Sequence, residues 1–250
     1  MMLTSLVEKK SKNLKSLSVL VDPDKIQNEE SLKELVHICT KSNIDYIFIG
    51  GSLLVSDSLS ETVAYIKENS EIPVVLFPGS NLHIDKSADA ILFLSLISGR
   101  NPDLLIGQHV VAAPILKNSD LEILSTGYIL IGNDTSSTVA YISQTTPIPL
   151  NKSEIAVCTA MAGEMLGMKL IYLDAGSGAP EEVPSALISY VKQSISIPLI
   201  VGGGINTLKK AEKAYLAGAD LIVLGTAVEE NISFLSEVAI LRDRMNATHS

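Results

Sequence analysis

Cysteine is nearly missing from this sequence: two thiols, Cys39 and Cys158, stand in 250 residues. Two widely spaced cysteines build neither a disulfide framework nor a zinc site. Both fall in stretches with helical patterning, which reads them as reduced core residues. Aromatic residues are scarce as well, at 4%. No apolar run approaches the roughly 20 residues needed to cross a bilayer. The opening MMLTSLVEKKSKNLKSL carries neither the long apolar run nor the small-residue cleavage site of a secretory signal. A soluble, cytoplasmic protein is the expectation. Positive charge is in deficit: 19 Lys and Arg against 28 Asp and Glu leave a net charge of −9. That balance argues against a nucleic-acid footprint and against electrostatic docking on anionic lipid. It leaves room for a small anionic ligand, because backbone N–H groups can hold a phosphate without a cationic side chain.

What is present is apolar residue, 46% of the chain, which excludes general disorder. It is distributed as eight short runs rich in Val, Ile and Leu, at 17–22, 44–50, 73–77, 89–95, 127–131, 169–174, 198–201 and 220–224. Continuous runs of this kind suit strands buried on both faces of a parallel sheet. Amphipathic patterns at 29–42, 57–69, 152–167, 184–194, 207–217 and 231–245 predict helices between most of them. Eight such units in a chain of this length predict one (β/α)8 TIM barrel, an α/β domain spanning 1–250. A shift of 125 residues lays Gly51-Ser52 on Gly176-Ser177 and Ile72-Pro73-Val74-Val75 on Ile197-Pro198-Leu199-Ile200. With a six-residue slip, SADAILFL at 87–94 then meets GADLIVLG at 218–225. A duplicated half-barrel would leave that pattern and is the reading it favours over chance apolar similarity.

Barrels of this kind place functional groups in the loops at the carboxyl ends of their strands. Here those ends read VDPDK (21–25), GGS (50–52), FPGS (77–80), Ser95 with SGRNPD (98–103), YLDAGSG (172–178), GGG (202–204) and Gly225-Thr226. Glycines let main chain approach a ligand closely, so that several N–H groups converge on one anion. Glycine-rich turns at the last three strand ends, with Ser177 and Thr226 beside them, point to a phosphate site rather than to tight turns alone. Asp22 and Asp24 stand at the first strand end. A carboxylate there can seat Mg2+, which takes one or two protein carboxylates and completes its shell with phosphate oxygens and water, and Ser52 is placed to add an oxygen. Asp-Pro-Asp is equally good turn chemistry, and the spacing does not decide between the two. Asp174 shares its strand phase with Tyr172; it is either a base for a ligand hydroxyl or a core hydrogen-bonding residue. His37 reads as structural. His83 and His109 read as residues in or near loops with no nucleophile beside them. Met161, Met165 and Met168 recur at helical spacing and read as core, or as the lining of an apolar channel.

Taken together, VDPDK, IGGS at 49–52, FPGS, YLDAGSGAP at 172–180, VGGGI at 201–205 and LGTAVEE at 224–230 resemble the geranylgeranylglyceryl phosphate synthase family, with its heptaprenylglyceryl phosphate synthase relatives. The resemblance runs in order along nearly the whole chain. It implies a Mg2+-dependent prenyltransferase on a TIM barrel. Such an enzyme joins the 3-hydroxyl of sn-glycerol 1-phosphate to a polyprenyl diphosphate, geranylgeranyl diphosphate first among them, and releases diphosphate. By the resemblance, Asp22 and Ser52 are magnesium positions. Tyr172, Leu173, Asp174, Ala175, Gly176, Ser177 and Gly178 form the glycerol-phosphate segment, with Asp174 and Tyr172 as the catalytic candidates. Gly203, Gly204, Gly225 and Thr226 are the phosphate-binding turns. It also implies a homo-oligomer. Two departures stand out: Asp174 where some relatives carry Glu, and Leu20 where one bacterial branch carries Lys. A sugar-phosphate isomerase or amino-acid-pathway synthase usually needs a second carboxylate or a lysine at a strand end; Lys25 is the one lysine here. A non-catalytic phosphate-binding barrel is the remaining alternative.

Overall fold

The computed structural model describes residues 1–55, 58–133 and 137–248. After an N-terminal helix α1 (Met2–Ser11) strands and helices follow one another along the chain, with no helix between the third and fourth strands and two helices after the fifth and after the eighth. The strands are β1 (Ser16–Val21), β2 (Tyr46–Gly51), β3 (Val74–Pro78), β4 (Ala90–Leu96), β5 (Glu122–Leu130), β6 (Leu170–Asp174), β7 (Leu199–Gly202) and β8 (Leu221–Leu224). All pair in parallel with their sequence neighbours, and β8 returns to β1, with Val19 opposite Leu224, to close the barrel. The helices are α2 (Glu29–Lys41), α3 (Leu59–Asn69), α4 (Gln108–Lys117), α5 (Thr138–Ser143), α6 (Ser153–Met165), α7 (Ser185–Ser194), α8 (Leu208–Ala217), α9 (Thr226–Glu230) and α10 (Ser233–Ala247). The 125-residue shift carries β2 onto β6 and β3 onto β7, and with the six-residue slip β4 onto β8, elements four positions apart around the barrel. No described helix is long and apolar enough to cross a membrane.

Side-chain parity along the strands sorts the core into two layers. Leu17, Val19 and Val21 of β1, with Ile171 and Leu173 of β6, face outward into the layer shared with the helices. Phe48, Leu92, Leu124, Leu170 and Tyr172 point into the barrel axis. The amino-terminal mouth is filled by α1, whose Met2 and Leu6 sink into that interior cluster. The unpaired N–H groups of the first turn of α1 go to Glu122, with Met2 N and Leu3 N donating to its carboxylate. The interior is thereby plugged below, and a cavity opens above it at the strand ends.

Several expectations are corrected. α1, α4, α5 and α9 were not anticipated, and β5 begins at Glu122, five residues before the expected run. Gly127 interrupts that strand's pattern because a Cβ there would come within 2.8 Å of both Ile97 and Met168. The β3–β4 connection holds no helix. Cys39 is buried, whereas Cys158 lies exposed on α6. Met165 is 84% exposed and not part of any core, and His109 is a buried residue of α4 rather than a loop residue. The start of the helix expected over 57–69 lies outside the described residues at Asp57.

Candidate active site

Chain chemistry sets the first rim of the open mouth. Pro23 cannot extend β1, and Asp22 caps the short 3-10 turn Pro23–Lys25 by accepting the Asp24 N–H at 3.1 Å. Asp24 in turn accepts the Val55 N–H at 2.6 Å, tying the β1 loop to the β2 loop. Asp22 therefore satisfies the turn reading, yet it also faces the mouth. Burial raises its pKa, opposed first by the Asp24 amide and then by Lys25. A Cβ at Gly51 would stand 3.6 Å from Asp22 Oδ2, so glycine keeps the space beside that oxygen clear. Ser52 lines the same cavity. No cluster of three or more His, Cys, Asp or Glu exists among the described residues. A site of one carboxylate, one hydroxyl and oxygens from a phosphorylated ligand is a donor set that suits Mg2+ and does not suit zinc.

On the opposite rim, Gly203 and Gly204 adopt φ +78° and +68° in succession. A Cβ at Gly203 would fall 2.6 Å from Asp174 Oδ1 and 2.7 Å from the amides of Ala175 and Gly176. At Gly204 it would fall 2.3 Å from Glu181 O. Only glycine permits both the left-handed backbone and this approach of the β7 loop to the β6 loop. Ser177 Oγ and Thr226 Oγ1 meet at 3.3 Å, joining the β6 and β8 loops.

Between the rims, at the top of the barrel axis, sits Asp174. It is 8% exposed, accepts the Gly176 N–H at 3.0 Å on Oδ1, and accepts the Tyr128 hydroxyl on Oδ2. Burial pushes its pKa up, while those two hydrogen bonds pull it down. Burial and then the Asp174 charge hold the Tyr128 and Tyr172 hydroxyls well above the usual phenol range. Phe77, Tyr128 and Tyr172 form an aromatic floor beneath the carboxylate, with ring centroids 5.4–6.1 Å apart.

A cavity of about 460 Å³ joins these pieces. Asp22, Ser52, Tyr172, Asp174, Gly176, Ser177, Gly178, Gly203, Gly204, Gly225 and Thr226 all line it. Two residues of the expected segment do not. Leu173 faces the helix layer, and Ala175 packs against the same layer with its N–H given to Gly202 O at 3.1 Å. Strand alternation explains the split, since 172 and 174 point in and 173 points out. Tyr128 was missed by sequence reasoning. Its signal is the register, because it lies opposite Tyr172 on the neighbouring strand and so shares the inward phase. His83 accepts the Gly79 N–H at 3.2 Å and His109 contacts Ser95 Oγ at 3.1 Å; burial lowers both pKa values.

A second opening leaves the mouth past Gly51, Ser52, Phe77 and Tyr128. It is an apolar cleft of about 140 Å³ that runs between β3, β4 and α4, over Leu92, Leu94, Leu104, Ala112 and Leu116.

Comparison with known proteins shows the family and the fold. The sequence pattern described as the PcrB family matches residues 10–242. A geranylgeranylglyceryl phosphate synthase of Chitinophaga pinensis is 53% identical over 238 residues, 94% of this chain and 93% of the relative. One from Pyrococcus furiosus is 44% identical over 84% of this chain and 83% of its own. The crystal structure of (S)-3-O-geranylgeranylglyceryl phosphate synthase from Thermoplasma acidophilum, in complex with its substrate sn-glycerol-1-phosphate, superposes with a TM-score of 0.87. It shares 32% identity and covers 95% of this chain and 94% of that one.

Proposed function

The chain belongs to the PcrB family, and from that membership and the geometry of the mouth we propose that it is a prenyltransferase. It joins the 3-hydroxyl of sn-glycerol 1-phosphate to a polyprenyl diphosphate, geranylgeranyl diphosphate by analogy with the named relatives. The observation that carries this reading is the meeting, in one mouth, of a glycine-built anion cradle, a buried carboxylate and an apolar cleft.

In this reading the amides of Ser177, Gly178, Gly203, Gly204, Gly225 and Thr226 hold the glycerol phosphate. Each N–H bond to a charged oxygen contributes on the order of 1.5–3 kcal/mol. Gly176 N–H is already committed to Asp174 and serves to aim that carboxylate instead. The ether bond forms between the 3-hydroxyl oxygen and the first carbon of the prenyl chain. The bond from that carbon to the diphosphate oxygen breaks, and its electron pair leaves with diphosphate. Asp174 takes the hydroxyl proton, with the Tyr128 hydroxyl steadying it in the charged form. Tyr172, at the same level of the barrel wall, seals the floor against water. The apolar cleft between β3, β4 and α4 takes the isoprenoid chain, which makes no demand for polar partners. Asp22 and Ser52 would hold Mg2+, which neutralises charge on the diphosphate when bound. Self-association is also proposed, supported by the exposed Val110 and Val111 of α4, Met165 of α6 and Leu166 just after it; sedimentation velocity reads it directly.

The test is incubation with labelled geranylgeranyl diphosphate, sn-glycerol 1-phosphate and MgCl2. An ether product is expected, lost with EDTA and lost in a folded Asp22→Asn variant. No product with prenyl donors of any length would favour a non-catalytic phosphate-binding barrel. Full turnover by folded Asp22→Asn would remove the metal assignment alone.

A further inference from the structure

The cavity at the mouth is lined by Asp22, Asp24, Asp174, Glu229 and Glu230, and among the described lining residues Lys25 is the one cation. A prenyl diphosphate must enter against that field, and it gains negative charge as it leaves. Lys25 stands at the seam where β1 meets β8. Its Nζ donates to Glu229 Oε2 at 2.9 Å and Oε1 at 3.1 Å, and lies 3.8 Å from Asp22 Oδ2. Glu229 comes from α9, which begins at Thr226 directly after Gly225. The ammonium is thus parked on a carboxylate beside the proposed metal position, at the end of a flexible four-carbon stem.

Resting on the prenyl-transfer reading, we propose that Lys25 is the diphosphate-binding cation of this enzyme and that Glu229 holds it until the donor arrives. Pairs as exposed as this one are weak, because water screens both partners, so exchanging Glu229 for an incoming anion costs little. A diphosphate offers several oxygens and more charge than one carboxylate, so it wins the ammonium. When the bond from the prenyl carbon to oxygen breaks, the electron pair settles on the diphosphate that Lys25 touches. The same contact therefore helps binding and departure. In the resting state the ammonium hydrogen-bonds Glu229 and stands at the longer distance of 3.8 Å from Asp22.

Three variants separate this from a purely structural latch across the β1–β8 seam: Lys25→Met, Lys25→Arg and Glu229→Gln, each checked for fold by circular dichroism. The probe is inorganic diphosphate in MgCl2, titrated calorimetrically, alongside KM for geranylgeranyl diphosphate and for sn-glycerol 1-phosphate. Lys25→Met should weaken diphosphate binding about 10- to 100-fold, the loss of one charge-assisted hydrogen bond. KM for the glycerol phosphate should stay put, and Lys25→Arg should restore most of the affinity. Glu229→Gln should tighten diphosphate binding, because it removes the competitor. Equal weakening by Lys25→Met and Glu229→Gln would make the pair a tether and overturn the inference. So would unchanged binding in Lys25→Met, or a wild-type protein that binds no diphosphate. A wild type that binds diphosphate through Lys25 yet forms no ether with sn-glycerol 1-phosphate would sink the substrate reading and leave the role of Lys25 standing.

Discussion

Replacing Tyr128 by Phe deletes one oxygen from the barrel axis and little else. The ring stays wedged against Phe77 and Tyr172, at centroid distances of 6.1 and 5.4 Å. What goes is the hydroxyl that donates to Asp174 Oδ2, leaving the carboxylate with the Gly176 N–H. A hydrogen bond to a buried charged group is worth about 1.5–3 kcal/mol, against roughly 1 kcal/mol for a neutral one. Burial already raises the Asp174 pKa in the folded protein. The folded chain therefore binds this proton more tightly than the unfolded chain does. The stability tied to that proton is complete below the unfolded pKa and is lost as pH rises through the folded one. Removing the hydroxyl raises the folded value further and extends the window of loss upward. The Tm of Tyr128→Phe should consequently fall by roughly 3–12 °C at pH 8, using about 2–4 °C per kcal/mol for a chain of this size, and by much less at pH 4. The acid limb of the kcat profile should move to higher pH, since the base is harder to ionise. Scanning calorimetry and a pH–rate series read both. A Tm penalty equal at the two pH values, with an unmoved acid limb, would refute the view that Tyr128 acts by supporting a charged Asp174.

Other perturbations test other parts of the account. Gly203→Ala forces a Cβ to 2.6–2.7 Å from Asp174 and two amides at φ +78°. It should raise KM for sn-glycerol 1-phosphate more than tenfold and lower stability by at least about 1–3 kcal/mol, read by kinetics and urea unfolding. Leu6→Ala opens a cavity in the barrel plug where the native side chain is fully buried; chemical denaturation should show a loss of about 2–5 kcal/mol, with kcat nearly unchanged in the folded fraction. Ala112→Phe places a ring in the apolar cleft. It should shift selectivity toward shorter prenyl donors in a competition assay, and an unchanged chain-length preference would move the isoprenoid out of that cleft.

The eight strands were legible because each is a short, nearly unbroken aliphatic run bounded by turn residues, the mark of a strand covered on both faces. The start of β5 was hidden. Glu122, Ser125 and Thr126 interrupt the aliphatic run ahead of the expected 127–131, and Glu122 is there to cap α1. α4 carries Pro114 and turns Val110, Val111 and Ile115 to the surface, so no one-sided stripe announces it. The rim of the site could be read because a barrel presents its strand ends in order. The floor could not, because Tyr128 lies two residues before its strand end and becomes visible only through pairing with β6. Carrying over the whole stretch 172–178 likewise ignored alternation, which turns Leu173 outward. Lys25 is visible in the sequence as a lysine at a strand end, but its partner Glu229 is 204 residues away and the closure of β8 onto β1 brings them together.

The most direct measurement offers both glycerol phosphate enantiomers, separately, with geranylgeranyl diphosphate, and weighs the products by mass spectrometry. With the phosphate in the amide cradle and the free primary hydroxyl at Asp174, the two enantiomers differ only in where the C2 hydroxyl points; the ether should appear with sn-glycerol 1-phosphate, the substrate bound by the Thermoplasma acidophilum relative, and be absent with its mirror image. Equal products from both, or none from either, would contradict the account.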